Sequence, residues 1–299
     1  MTALSRLTLG TVQFGLPYGI ANRSGQPSYE TARDIIACAY EGGVNCLDTA
    51  AAYGESEAVI GRALAELGLA ERMRVVTKVP PIPKELTGPA VDRFVETAVR
   101  KSLAALRLKK LFICLFHREE DAGHIGALVK LQGQGLIEQI GVSTYRTPIT
   151  AGILTEGRAQ AIQIPTNILD QRFIRSGVLN QARQQGVTVF VRSVYLQGLL
   201  LMSPEGMDPF FAPMVELHPK LAEWAQAAEM SLAELAVRFV LSLDGVSSLV
   251  LGMETVDQMR ENLRLCSRPP LPPDLVREIL NGIPDLPERL LMPPFWPKK

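Results

Sequence analysis

Asp48 and Tyr53, Lys78, and His117 stand at the ends of three successive apolar runs. Asp48 closes the run 44–48, and Tyr53 follows in a loop marked by Gly54. Lys78 closes the run 74–78, and His117 closes 111–117. A lysine beside a tyrosine hydroxyl stabilises phenolate and lowers a pKa that is ordinarily about 10. Asp48 would pair with Lys78 and hold it in place. His117 would orient a carbonyl oxygen or share the proton. Tyr53 then acts as general acid for an oxygen that gains charge as hydride arrives. Taken singly, each residue has a plainer explanation as a helix cap, a solvated strand-end charge or a packing tyrosine. Their recurrence at three consecutive strand ends favours shared chemistry.

The elements that must position them alternate along the chain. Strand-like runs fall at 7–11, 44–48, 74–78, 111–117, 137–143, 161–164, 187–193 and 248–252. Helical patterns separate them. One is capped by Ser28 and runs to about Glu41, and others cover 56–67, 89–106, 122–132, a stretch near Pro148, 178–185, 221–243 and 255–265. Strands apolar on both faces and separated by helices imply a parallel sheet covered on both sides. Eight such units without a composition break predict one α/β domain over 1–299, a (β/α)8 TIM barrel. A proline-rich tail from about 269 to 299 is expected to cover either the barrel mouth or the outer wall. In this architecture sites lie at the carboxyl ends of the strands.

Composition narrows the class. The 299 residues carry 31 basic and 31 acidic side chains, so the formal net charge is zero. That balance argues against nucleic-acid or membrane-surface partners, which call for a basic excess. Residues 1–6 lack the pattern of a signal peptide, and no apolar run is long enough to span a bilayer. The four cysteines are scattered, with Cys46 and Cys114 inside apolar runs, as expected of reduced thiols. A cytoplasmic protein, monomeric by default, is expected.

No G-x-G-x-x-G follows any strand, and no phosphate-binding G-x-x-x-x-G-K-[ST] occurs. A bound dinucleotide must therefore use barrel loops and a helix N-terminus. The phosphate position common in barrels follows strands seven and eight. Here that means 193–200, including Ser193, Leu196 and Gly198, and 252–262, beginning at Gly252.

The chain resembles the aldo-keto reductases. Asp48-Thr49-Ala50-Ala51-Ala52-Tyr53-Gly54, followed by Ser56-Glu57 and Ile60-Gly61, matches that family's D-T-A-x-x-Y-G-x-S-E-x-x-I-G motif. Val75-Val76-Thr77-Lys78 is similar to its lysine motif, Leu115-Phe116-His117 to its histidine motif, and Gly141-Val142-Ser143 to its strand-five motif. Gln163 resembles the glutamine that holds the nicotinamide amide. Gln258, Glu261 and Asn262 resemble the adenosine-end motif. The resemblance implies metal-free, NAD(P)H-dependent reduction of a small-molecule aldehyde or ketone. Tyr53 would be the proton donor, Asp48 and Lys78 its tuning pair, and His117 the carbonyl-orienting residue. The first loop is similar to that of relatives in bacterial sugar or polysaccharide metabolism.

Three departures from the family pattern bear on specificity. Thr144 replaces the usual asparagine, and Arg192 replaces an aromatic residue that stacks on nicotinamide. A guanidinium also stacks on a flat ring, but its charge disfavours the oxidised nicotinamide or favours an anionic substrate group. Glu254 stands where NADPH-preferring relatives often carry a basic or small residue. Arg260, Arg264 and the helix-capping Thr255 nevertheless put NADP(H) ahead of NAD(H) as the expected cofactor. Two other readings remain open. One is a cofactor-binding regulatory barrel with little turnover. The other is a lyase that uses Lys78 as a Schiff base.

Overall fold

Leu7–Gly10 (β1), Cys46–Asp48 (β2), Arg74–Val79 (β3), Leu111–Phe116 (β4), Ile137–Ser143 (β5), Ala161–Pro165 (β6), Thr188–Arg192 (β7) and Ser248–Gly252 (β8) pair in parallel. Their order is sequential and β8 returns to β1, so the sheet closes as a barrel. The structure is a computed structural model and describes residues 3–297. Met1 and Thr2, in the segment read as lacking a signal peptide, and Lys298 and Lys299, in the proline-rich tail, lie outside the described residues.

The connecting helices are Tyr29–Glu41 (α1), Ser56–Glu66 (α2), Pro89–Leu106 (α3), Ile125–Gly133 (α4), Thr147–Glu156 (α5), Arg172–Arg175 (α6) and Val178–Gln184 (α7). After β7 come Ala212–Val215 (α8), His218–Ala227 (α9) and Leu232–Leu241 (α10). Val256–Cys266 (α11), Pro273–Gly282 (α12) and Glu288–Leu291 (α13) follow β8. Among the described residues, no helix is long and apolar enough to cross a membrane.

Period-two alternation explains where the polar residues go. Cys46, Val76, Ile113, Leu115, Ala161 and Phe190 form a separate apolar plug inside the barrel. Their neighbours Leu47, Val75, Cys114, Phe116, Ile162 and Val191 pack outward against the helices. Two residues after the plug, on the same strand face, come Asp48, Lys78, His117, Gln163 and Arg192. These side chains therefore form the next layer up, at the carboxyl ends of the strands. Gly141 belongs to the same geometry: a Cβ there would lie 1.8 Å from the Ala161 carbonyl oxygen, so only glycine fits.

Several boundaries differ from the sequence reading. β2 starts at Cys46, because the Asn45 amide instead donates to Ser5 Oγ. The region 221–243 is two helices, α9 and α10. Between them Glu229 takes a positive φ of 51° and the Ser231 side chain caps α10 at the Glu234 amide. A 3-10 turn, Glu119–His124, delays α4. The proline-rich tail contains α12, with Pro273 at its first turn, where proline is tolerated. The tail contacts the outer elements: Trp224 donates to Glu278 at 2.7 Å, Arg175 to the Ile283 carbonyl at 2.6 Å, and Trp296 stacks edge-on to Phe211 at 5.1 Å.

Candidate active site

Asp48 and Lys78 meet because β2 and β3 are neighbours in register, Asp48 opposite Val76. Lys78 Nζ donates to both carboxylate oxygens, at 2.9 and 2.8 Å, and to the Thr49 carbonyl at 2.8 Å. Gln163 Nε2, from β6, donates to Asp48 Oδ1 at 2.7 Å. Lys78 is only 1 % and Asp48 3 % exposed. A buried pair is tolerable when hydrogen bonds engage its remaining donors and acceptors, as they do here. Burial lowers the Lys78 pKa, and the Asp48 charge opposes that shift.

Tyr53 is carried by a tight turn, with its amide donating to Ala50 O and its carbonyl accepting from Ser56 N. Ser56 Oγ in turn donates to Thr11 O at 2.8 Å, which ties this turn to the loop after β1. At Gly15 a Cβ would fall 1.8 Å from the Tyr53 carbonyl oxygen, so the two loops pack backbone to backbone. The Tyr53 ring meets His117 edge-on, with centroids 5.6 Å apart at 82°. His117 lies one residue past β4, its amide donating to Val79 O at 3.3 Å.

The electrostatics differ from the sequence expectation. There, Lys78 sits beside the Tyr53 hydroxyl and lowers its pKa. Instead, Lys78 points its donors at Asp48 and Thr49, with Nζ 5.1 Å from the centre of the Tyr53 ring. Burial, then the Asp48 carboxylate, raises the Tyr53 pKa, and the opposing cation is Arg192. His117 goes the other way. Burial, with Lys78 and Arg192 nearby, lowers its pKa to about 3, so the imidazole is neutral near pH 7.

A cavity of about 640 Å³ opens over this layer and runs toward β8 and α11. Asp48, Tyr53, His117, Ser143, Gln163 and Arg192 line one end. Ser193 and Gly198 line its middle, in a loop where Ser193, Leu196 and Gln197 all take positive φ. For non-glycine residues that conformation is strained, and such strain concentrates at functional loops. Gly252, Glu254, Thr255, Gln258, Glu261 and Asn262 line the far end. Three sequence candidates do not reach the cavity surface. Lys78 lies beneath it, Leu196 is buried in the apolar core, and Thr144 is buried with its hydroxyl accepting from Thr150 Oγ1 at 2.8 Å.

At the far end, the Thr255 side chain caps α11 at the Gln258 amide (3.2 Å), and the Gln258 side chain accepts from Glu254 N at 2.7 Å. Asn262 Oδ1 accepts from the Tyr195 hydroxyl at 3.2 Å.

The tertiary structure adds Gln13, Tyr145 and Tyr195 to the lining. Gln13 is 7 % exposed, its Nε2 donates to Glu254 Oε1 at 3.4 Å, and its Oε1 is buried without a partner. A buried amide oxygen left unpaired costs free energy unless a donor arrives. That orphan suits a hydroxyl-bearing ligand such as a ribose. Gln13 lies in the first loop, which the sequence marked by its likeness to that of relatives in sugar or polysaccharide metabolism. Tyr145 and Tyr195 carried no sequence signal of their own.

Comparison with known proteins agrees with this fold. The model of the Aldo/keto reductase family matches residues 6–281. D-arabinose 1-dehydrogenase of Saccharomyces cerevisiae is 24% identical over 284 residues, covering 87% of this chain and 82% of that protein. L-glyceraldehyde 3-phosphate reductase of Escherichia coli is 24% identical over 296 residues, covering 87% and 85%. Among solved structures, the holo form of an aldo-keto reductase from Bacillus halodurans superposes with a TM-score of 0.78. It is 25% identical and covers 95% of this chain and 93% of that one.

Proposed function

The chain belongs to the aldo/keto reductase family, and on that premise we propose that it reduces an aldehyde or ketone to an alcohol with a nicotinamide dinucleotide. The observation that carries this reading is the Tyr53–His117 edge-to-face pair at the cavity floor, seated on the buried Asp48–Lys78 pair. When bound, the nicotinamide supplies hydride to the carbonyl carbon. Tyr53 holds a proton at its hydroxyl and delivers it to the carbonyl oxygen as that oxygen gains charge. Neutral His117 donates a hydrogen bond to the same oxygen. Asp48, Lys78 and Gln163 fix the floor on which Tyr53 stands. Ser143 and Gln163 would hold the nicotinamide amide, the loop around Ser193 and Gly198 the phosphates, and Thr255 with Asn262 the adenosine end. The unpaired Gln13 oxygen would accept from a ribose hydroxyl.

We read the cofactor as NAD(H). The expectation of NADP(H) rested on Arg260, Arg264 and Thr255; Thr255 does line the cavity, with its hydroxyl accepting from the Gln258 amide. The cavity face of α11 is Asp257, Gln258, Glu261, Asn262 and Leu265, one stripe at helical spacing. Arg260 and Arg264 fall off that stripe and pair with Asp257 and Glu261 at 2.8 and 2.7 Å. Glu254 faces inward instead, and a carboxylate repels a 2′-phosphate while accepting from a ribose hydroxyl.

The names of the relatives point to sugar-like carbonyl compounds as substrates, and we carry that class over to this chain. A Schiff-base lyase is disfavoured by Lys78, whose ammonium is buried and hydrogen-bonded to three acceptors. The test is oxidation of NADH and NADPH with a generic aldehyde by the wild type and Tyr53→Phe. Turnover abolished in the variant supports the reading; absence of cofactor oxidation in the wild type across aldehydes and ketones overturns it.

A further inference from the structure

Arg192 is a half-buried guanidinium at the chemical end of the cavity. Its Cζ lies over the Tyr145 ring, 4.0 Å from the centroid, and this cation–π contact helps hold the group in place. One terminal nitrogen donates to the Thr144 carbonyl at 3.2 Å and the other, more weakly, to Ser193 Oγ at 3.4 Å. Both acceptors are neutral, and among the described residues no carboxylate forms an ion pair with it. Its remaining N–H groups have no acceptor there, although a guanidinium presents a fork of donors.

The surroundings amplify this excess. Asp48 is the acid of this layer, and Lys78 neutralises it at 2.8 Å. Tyr53 and His117 are uncharged. Arg192 therefore leaves this end of the cavity with a net positive charge, whereas at the far end Asp257 and Glu261 are paired with Arg260 and Arg264, and Glu254 has no ion-pair partner among the described residues. Its field reaches Tyr53, His117, Lys78 and Tyr18, since it contributes to the pKa shift of each.

Tyr18, from the loop after β1, lines the same cavity and feels the charge of Arg192. Its hydroxyl oxygen accepts from Gln197 Nε2 at 2.8 Å, which leaves the phenolic proton to donate. Tyr18 as a whole is 39 % exposed, but desolvation on its cavity side and the neighbouring Tyr53 push its pKa up to about 12, so that proton stays in place. The groups beside the reacting centre are thus a planar cation and a set of neutral donors.

We propose that Arg192 and Tyr18 bind an oxyanion, a carboxylate or a phosphate monoester, carried by the carbonyl substrate itself. The planar fork matches both groups in a two-point contact, and the contact with Tyr145 helps preorganise it. This assignment rests on the reading of Tyr53 as proton donor, which places the carbonyl next to Arg192. It moves Arg192 from a nicotinamide contact to a substrate contact.

Matched substrates test it. With NADH, kcat/KM is measured for succinic semialdehyde against butanal, and for glycolaldehyde phosphate against glycolaldehyde. The anionic member is expected to be favoured by roughly tenfold or more, the size of one charge-assisted hydrogen bond. The pair that shows the larger ratio identifies carboxylate or phosphate as the group. Arg192→Gln should collapse the ratio, Arg192→Lys should retain part of it, and Tyr18→Phe should reduce it. Equal rates within each pair for the wild type overturn the proposal. So does an Arg192→Gln variant that changes only the ratio of NAD+ to NADH affinities.

Calorimetry with succinate gives a readout independent of turnover. Binding that is lost in Arg192→Gln and kept in Arg192→Lys supports the anion site even if no aldehyde is reduced. Succinate and methyl phosphate, titrated in the same way, remove it if both bind the two variants alike or if neither binds the wild type.

Discussion

Lys78 Nζ sits 2.8 and 2.9 Å from the two oxygens of Asp48, in a layer where both side chains are almost fully buried. The pair is therefore a structural floor for Tyr53 as well as an electrostatic element. Breaking a buried pair by removing one partner leaves an uncompensated charge.

Asp48→Asn and Lys78→Met should each destabilise the fold by about 3–5 kcal/mol. The double variant should lose less than the sum of the two, because it buries no lone charge. Chemical denaturation of the four proteins checks this. Additive losses would mean that the two side chains do not act as a pair.

Tyr53→Phe should leave stability nearly unchanged, since none of the hydrogen bonds that position Tyr53 involves its hydroxyl. Turnover should nevertheless fall by about two to four orders of magnitude, the usual worth of a positioned general acid. Dissociation constants for NADH, followed by fluorescence, should stay close to wild type. A variant that keeps most of its activity would remove Tyr53 from the proton-donor role.

The depressed His117 pKa has a consequence for acid stability. In the unfolded chain this imidazole takes up a proton near 6.5, whereas in the folded protein it does so only at about 3. Between those values the unfolded state binds more protons, so stability falls as the pH drops through that window. The slope from one such group is at most about 1.4 kcal/mol per pH unit. His117→Gln should flatten the fall, and urea titrations from pH 7 to pH 4 measure it. A variant with the wild-type slope would show that other groups carry the acid sensitivity.

Glu254→Ser should raise kcat/KM for NADPH relative to NADH by about tenfold or more, as expected for removing one charge close to a phosphate. Paired assays with the two cofactors decide it. If the ratio stays put, the 2′-hydroxyl end of the ribose lies elsewhere.

Glu119 is 5 % exposed and accepts from the amides of Tyr145 (2.8 Å) and Arg146 (3.0 Å), and from the Arg146 guanidinium. It thereby fixes the loop that presents Tyr145 to Arg192. Glu119→Ala should cost about 1–3 kcal/mol by leaving those amides unpaired. Preserved stability with unaltered exchange of the two amides would show that water replaces the carboxylate at no cost.

Much of the barrel was legible in the chain. Each of the eight strands falls on a predicted run, because strands covered on both faces must be apolar throughout. One misplaced boundary lies where the competing partner is remote in sequence. Asn45 leaves β2 for Ser5, and nothing local to Asn45 announces that bond. The division of 221–243 did carry a local signal in Ser231, a capping residue inside an otherwise continuous helical pattern.

The residues of the layer above the apolar plug followed from sequence alone. Alternation along a strand is local, so Asp48, Lys78, His117, Gln163 and Arg192 each inherit their direction from the residue two places earlier. Which of them touch did not follow, since contact depends on strand register and on side-chain reach across neighbouring strands. Only the tertiary structure committed the Lys78 ammonium to Asp48 and Thr49 and left Arg192 as the cation acting on Tyr53. It likewise turned Glu254 inward and left Arg260 and Arg264 off the cavity face, because helix phase is set by packing against the barrel.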